Sequence, residues 1–191
     1  MHTENLMIVA RPIVTAALVA IAVTFGRARG MPANSLGPAA APRCAGAEYH
    51  QFDFFEGDWD TYDFGNPDSI VARNTVTPML GGCAVREVYV QRDGVQGESF
   101  SAYDASRHRW HQSWVTNRGS MLLLDGHLEG GRMILTATDV DAQGDSSLVR
   151  GIWIPQRGSV RETAERSKDG GKTWEPLFDI VFRPHKRAAG R

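Results

Sequence analysis

Cysteine is scarce in this sequence, with only Cys44 and Cys83 among 191 residues. The six histidines include no H-E-x-x-H pattern, and His108 and His111 stand three residues apart. On a strand, an odd separation places two side chains on opposite faces, so we do not expect these histidines to share a metal ion. Zinc sites need three or four ligands that converge on one point. We therefore expect no metal site and no cofactor.

Long apolar runs are also lacking, because the uncharged run at residues 12–25 has only 14 residues. A membrane helix needs about 20 apolar residues, so no stable membrane span is expected. The run is typical of a secretory signal peptide covering residues 1–30, with an uncleaved anchor as the alternative. Residues 31–47 are rich in Ala, Pro and Gly and predict a flexible linker. These features predict a periplasmic or secreted protein.

Positive charge is not concentrated anywhere in the chain, whose formal net charge is −1. The one basic stretch is the short tail at residues 184–191. Nucleic-acid binding requires several cations on an ordered face, so no nucleic-acid partner is expected.

Helical periodicity is nearly absent from residues 48–183, which we predict to be one all-β domain. Short β-type segments recur every 8–12 residues between turn residues, as in barrels and sandwiches. Consecutive strands with tight turns favour an antiparallel up-and-down barrel of about ten strands, because closure removes exposed edges. A two-sheet sandwich is the alternative. The predicted strands are 57–64, 69–78, 83–92, 95–103, 109–117, 120–128, 132–138, 147–154, 159–166 and 173–183.

The two cysteines predict a disulfide between the entry segment and the Gly81-Gly82-Cys83 turn. Such a bond agrees with an oxidising compartment outside the cytoplasm. The alternative is a pair of free, buried thiols that act as small apolar residues.

The two ends of the domain resemble those of the calycins, the lipocalins and fatty-acid-binding proteins. Gly57-x-Trp59 opens the first strand and a lone Arg183 closes the last. The resemblance implies a calycin-like barrel in which Arg183 lies across the Trp59 ring in a cation–π contact.

A second resemblance covers residues 44–183, through the opening run at 52–59, the Gly82-Cys83-x-x-x-Glu87 run and the Trp110-x-Gln112-x-Trp114 run. These motifs are similar to those of a family of exported bacterial proteins of unknown activity. The resemblance implies export and carries over no reaction.

The run Ser167-x-Asp169-x-Gly171-x-Thr173-Trp174 is similar to the Asp-box of sialidases and related propellers. Its chemistry is that of a hairpin tip, in which the aspartate caps backbone amides and Trp174 packs beneath. We therefore interpret Asp169 and Trp174 as structural residues.

The candidate ligand site centres on Trp110, Gln112 and Trp114, which share one face of a strand because side chains alternate. Two indoles around an amide are typical of a cavity wall, although core packing is an equal alternative. The other candidate wall residues are polar or aromatic positions inside neighbouring strands. They are Glu87, Tyr89, Ser99, Tyr103, Arg150 and Trp153.

These observations predict an exported barrel that binds a small hydrophobic or aromatic ligand, with Arg150 available for an anionic group. The first alternative is an enzyme using the same cavity, an isomerase, cyclase or hydrolase, with Glu87 or His111 as base. The second is an envelope interaction module whose barrel is filled.

Overall fold

The computed structural model describes residues 44–186. The predicted signal peptide, the linker up to residue 43 and the tail beyond residue 186 lie outside the described residues. Within them, the chain forms ten strands and three 3-10 turns, at Ala47–His50, Asp53–Phe55 and Leu80–Gly82. The strands are β1 (Gly57–Asp63), β2 (Asn66–Met79), β3 (Ala84–Gln91), β4 (Gln96–Asp104), β5 (Arg109–Thr116), β6 (Met121–Glu129), β7 (Arg132–Val140), β8 (Ser146–Gln156), β9 (Ser159–Ser167) and β10 (Glu175–Pro184).

The strands form a closed antiparallel barrel, which confirms the predicted fold class. Each strand pairs with the next along the chain, and β1 pairs with β10 to close the sheet. Closure leaves no unpaired edge, whereas a sandwich would keep two separate sheets. The tight turns contain glycines with positive φ, such as Gly94 between β3 and β4. The barrel is therefore an up-and-down, calycin-like barrel.

One end of the barrel is filled by the segment that precedes β1. Phe52 and Phe55 from this segment are fully buried, and their ring centroids lie 5.4 Å apart. Phe52 also contacts Trp110 and Trp153, with centroid distances of 5.7 and 5.4 Å. Phe55 packs on Phe182 at 5.1 Å. Because these partners come from β5, β8 and β10, the entry segment acts as a plug that ties distant strands together.

The predicted disulfide is confirmed by the bond between Cys44 and Cys83. Cys83 lies between β2 and β3, so the bond attaches the entry segment to the wall at the filled end. The two Cα atoms are 5.1 Å apart and the cysteines are 39 positions apart in sequence. The covalent link and the phenylalanine plug therefore hold the same segment.

The expected partner of Arg183 requires correction. Its guanidinium lies over the Tyr62 ring at 4.4 Å and donates to the Pro67 carbonyl at 2.8 Å. Arg183 pairs in register with Asp60, so their side chains lie on the same face of the sheet. Asp60 and Tyr62 alternate along β1 with Trp59, which is buried and points inward. Trp59 instead donates its indole N–H to the Phe55 carbonyl at 3.0 Å. The two residues therefore lie on opposite faces of the sheet.

The turn between β9 and β10 is built around Asp169. Its carboxylate accepts the Lys172 and Thr173 amides at 3.0 and 2.9 Å and the Thr173 hydroxyl at 2.6 Å. The Ser167 hydroxyl accepts the Gly171 amide at 2.8 Å. These bonds satisfy the polar groups of the turn internally, and they occupy the Asp169 carboxylate.

Candidate functional site

The end of the barrel opposite the plug holds a cavity of about 430 Å³. Its wall includes Gln91, Thr116 and Phe178, which lie at or near the strand ends farthest from the plug. Trp153 belongs to both regions, since it lines the cavity and packs against Phe52. The apolar wall is Val71, Val95, Trp114, Leu122, Leu124, Val149, Gly151, Trp153, Ala164, Phe178 and Ile180, and the polar wall is Asp63, Glu87, Tyr89, Gln91, Gln112, Thr116 and Glu162.

A buried hydrogen-bond chain holds the carboxyl group of Glu87. Asn74 donates to Oε1 at 2.9 Å and the Ser99 hydroxyl donates to Oε2 at 2.9 Å. The Gln112 amide donates to Ser99 Oγ at 3.2 Å, so the single Ser99 proton points to Glu87. Both carboxyl oxygens therefore act as acceptors, which favours the ionised form of Glu87.

Glu162 lines the cavity together with Glu87 and Asp63, and it stands opposite Trp153 in the β8–β9 register. Burial raises the pKa of Glu162 well above its ordinary value, and the nearby charge of Glu87 raises it further. Burial also raises the pKa of Glu87, against the lowering effect of its Ser99 and Asn74 bonds. The pKa of Tyr89 is raised to about 12, first by burial and then by Glu162 and Glu87. The cavity thus disfavours additional negative charge.

The Trp153 indole N–H is close enough to Glu162 to favour its ionised form, but the geometry is not that of a hydrogen bond. Among the described residues Nε1 has no acceptor, although Trp153 is only 3% exposed. Buried donors nearly always have a partner, so this N–H is an available donor in the wall.

Two glycines allow indoles to lie flat against the wall. A Cβ at Gly97 would clash with the Trp114 ring, and one at Gly151 would stand 2.8 Å from the Trp153 ring. Trp114 also packs edge-on against Tyr89 at a centroid distance of 6.1 Å. The cavity wall therefore presents three aromatic rings in fixed positions.

The structure brings five of the predicted ligand residues to the cavity: Glu87, Tyr89, Gln112, Trp114 and Trp153. Ser99 lies behind them, bonded to Glu87. Tyr103 and Trp110 face inward but lie at the filled end, where Trp110 packs on Phe52 and donates to Gln51 at 3.1 Å.

Arg150 does not reach the cavity, which corrects its predicted position. It projects from the outer face of β8, pairs with Glu165 at 2.5 Å and lies over the Trp174 ring at 3.9 Å. His111 also faces outward, where it pairs with Asp125 and lies 3.6 Å from Asp104. Neither side chain can contact a ligand in the cavity.

Glu162 was missed at the sequence level, although a signal for it exists. It lies between Val160 and Ala164, which are both buried, so alternation places it on the inner face of β9.

Within residues 44–186, no group of histidine, cysteine and carboxylate side chains is arranged to hold a metal ion. No helix in the same range is long and apolar enough to cross a membrane.

The fold and the cavity together define the class of protein: a closed, calycin-like barrel of ten antiparallel strands with an internal, acidic and aromatic cavity. No protein-family model matches the sequence, and no curated protein matches it. The resemblance to a family of exported bacterial proteins therefore remains a prediction.

The raised pKa of Glu162 predicts an unusual dependence of stability on pH. When the pKa of a group is higher in the folded than in the unfolded state, its contribution to stability is fully present below the unfolded-state pKa, which is near 4.5 for Glu162. This contribution is lost as the pH rises through the folded-state pKa. We expect the free energy of unfolding to fall as pH increases above about 4.5. Glu162→Gln should remove most of that slope, measured by urea unfolding at a series of pH values.

Other titratable groups also affect the pH dependence of the free energy of unfolding. Asp63, Glu87 and Tyr89 line the same cavity, and Glu87 leaves a residual slope of the same sign. Glu56, whose pKa burial also raises, adds a further slope of that sign. Asp169, whose pKa is lowered to about 2 chiefly by the Thr173 hydroxyl, loses its contribution only at much lower pH. An unchanged slope in Glu162→Gln would contradict the prediction.

Proposed function

We propose that the barrel is an exported protein that binds a small, largely apolar or aromatic molecule in its internal cavity. The observation that carries this proposal is the 430 Å³ cavity, which falls within the range of about 300–1,000 Å³ for ligand pockets. Its wall combines many apolar side chains with a few convergent polar groups, the usual composition of such pockets. A barrel serving only as an interaction module would be filled along its whole length.

Export is supported by two independent features. The Cys44–Cys83 disulfide is typical of proteins that mature in an oxidising compartment. The apolar run at residues 12–25 has the length of a signal-peptide core. We infer that the mature chain begins near Met31 and resides in the periplasm or outside the cell.

Native mass spectrometry of the protein from the envelope fraction of its own host tests both parts of the proposal. We expect a mass starting near Met31 and a noncovalent adduct of one small molecule. Trp114→Ala should lower the adduct occupancy at least severalfold, because truncation removes one aromatic ring of the wall.

Trp174→Ala provides the matched control, since it removes an indole that packs outside the barrel beneath Arg150. Circular dichroism should show that both variants keep the β-sheet spectrum. Equal occupancy in wild type and Trp114→Ala would remove Trp114 from the site, and a full-length mass would contradict export.

The second candidate function is an acid–base enzyme, an isomerase, cyclase or hydrolase, in the same cavity. It is favoured by a pair of carboxyl groups with different environments, Glu87 accepting two hydrogen bonds and Glu162 holding a raised pKa. Such pairs provide a base and an acid at the same pH. Time-dependent conversion of the retained molecule by purified protein would favour the enzyme over the binding protein.

A further inference from the structure

We propose that the ligand is a small organic cation, an amine on an apolar body, whose ammonium group faces the carboxyl groups of Glu87 and Glu162. This inference rests on the proposed binding function and specifies its ligand class. It replaces the anionic ligand that an inward Arg150 would have favoured.

The charge of the cavity wall favours a cation. Its ionisable side chains include Asp63, Glu87 and Glu162, and none of the described residues lining it is basic. A buried carboxylate without a cation is costly, so the pair of Glu87 and Glu162 requires either a bound proton or a positive partner. An anionic ligand would place a further negative charge beside this pair.

The outer surface of the same barrel pairs its charges within the protein. Carboxylates there have arginine partners at 2.5–2.7 Å, which shows that the sheet supplies cations where charges are paired. The same holds on the inner face near the open end, where alternation along β7 and β9 places Asp139 and Arg166, which pair at 2.9 Å. Glu87 and Glu162 lack such a partner among the described residues. The outer pairs are Arg73–Asp58, Arg86–Glu98, Arg150–Glu165 and Arg161–Asp179.

Aromatic rings share the cavity with the two carboxyl groups, because Tyr89, Trp114 and Trp153 all line it. The faces of aromatic rings attract cations, and aromatic cages recur as sites for ammonium ligands. A neutral apolar ligand would contact the rings but would leave the acidic pair without a partner.

The buried N–H of Trp153 is compatible with such a ligand. Nε1 is buried without an acceptor, in a residue that lines the cavity beside Glu162. An ionised Glu162 that binds the ammonium through one oxygen can accept from the indole through the other. The carbonyl oxygen of a neutral Glu162 can accept the same N–H, so the Trp153 donor agrees with a bound cation but does not by itself require one.

The test compares three similar molecules on the full disulfide-bonded chain: 2-phenylethylamine, 2-phenylethanol and phenylacetate. Each competes with the neutral fluorescent probe N-phenyl-1-naphthylamine at pH 7. We expect the amine to displace the probe at a concentration at least about 10-fold lower than the alcohol, since a charge-assisted hydrogen bond has about that effect. Phenylacetate should be the weakest of the three.

Glu162→Gln should weaken amine binding by about 10- to 100-fold while leaving the alcohol and the probe nearly unchanged. Glu162→Asp, which keeps the charge, should retain part of the amine preference. Glu165→Gln is the matched control, because Glu165 lies on the same strand but pairs with Arg150 outside the barrel.

The outcomes separate the two proposals. If the probe binds but the alcohol or phenylacetate competes as well as the amine, the cation inference is wrong and the binding function stands. If the amine preference persists in Glu162→Gln, the assignment of Glu162 is overturned. If neither the probe nor any of the three molecules binds, the binding function itself fails.

Discussion

Replacement of Phe52 by alanine is expected to lower the free energy of unfolding by about 3–5 kcal/mol. Phe52 has no exposed surface, and its ring contacts Phe55, Trp110 and Trp153. Truncation leaves a void among rings from the entry segment, β5 and β8, which cannot collapse without moving the barrel wall. Urea unfolding followed by tryptophan fluorescence measures the decrease in stability.

Phe100→Ala is the matched control for this substitution. Phe100 lies on the outer face of β4 and is 44% exposed. Surface truncations of this kind usually change stability by no more than about 0.5 kcal/mol. A decrease below about 1 kcal/mol in Phe52→Ala would show that the entry segment does not plug the barrel.

The strands could be predicted from the sequence because two local signals coincide. Alternation of apolar and polar residues indicates each strand, and glycines such as Gly94 and Gly119 mark the turns with positive φ. The observed strands agree with the predicted ones to within a few residues at their ends. The plug, by contrast, has no periodic signal, since Phe52 and Phe55 lie in and beside a 3-10 turn of three residues.

Alternation determines which face a side chain occupies but not its depth along the barrel axis. Trp110, Gln112 and Trp114 do share the inner face, yet Trp110 lies under the plug and Trp114 lies in the cavity. Depth depends on where the entry segment folds back, and no residue in β5 carries that information. Trp110 and Trp114 are only four positions apart on β5, yet the first is a core residue and the second a candidate ligand residue.

The outward position of Arg150 could have been predicted from the sequence. Arg150 and Trp153 are three residues apart on β8, so they cannot both face the cavity. Trp153 is buried and inward, and Arg150 is therefore outward with Glu165 and Trp174. The same reasoning applied to β9 would have placed Glu162 inside. What alternation cannot supply is the proximity of Glu162 to Glu87, which depends on closure of the barrel.

Removal of the disulfide by the double substitution Cys44→Ser and Cys83→Ser is expected to lower the free energy of unfolding by about 3–4 kcal/mol. The bond closes a loop whose ends are 39 positions apart, and its removal increases the conformational entropy of the unfolded chain. Urea unfolding of the double variant measures the change, and reduced wild-type protein should show a similar decrease. A decrease below about 1 kcal/mol would contradict the prediction.

The disulfide and Phe52 anchor the same entry segment, so their effects should not be additive. Without the covalent link, the segment can leave the barrel as a unit, and that local detachment limits the cost of any further substitution within it. Phe52→Ala should therefore cost less in the Cys44→Ser, Cys83→Ser background than in the wild type. The double-mutant cycle measures this coupling. Additivity within about 0.5 kcal/mol would mean that the two anchors act on independent parts of the fold.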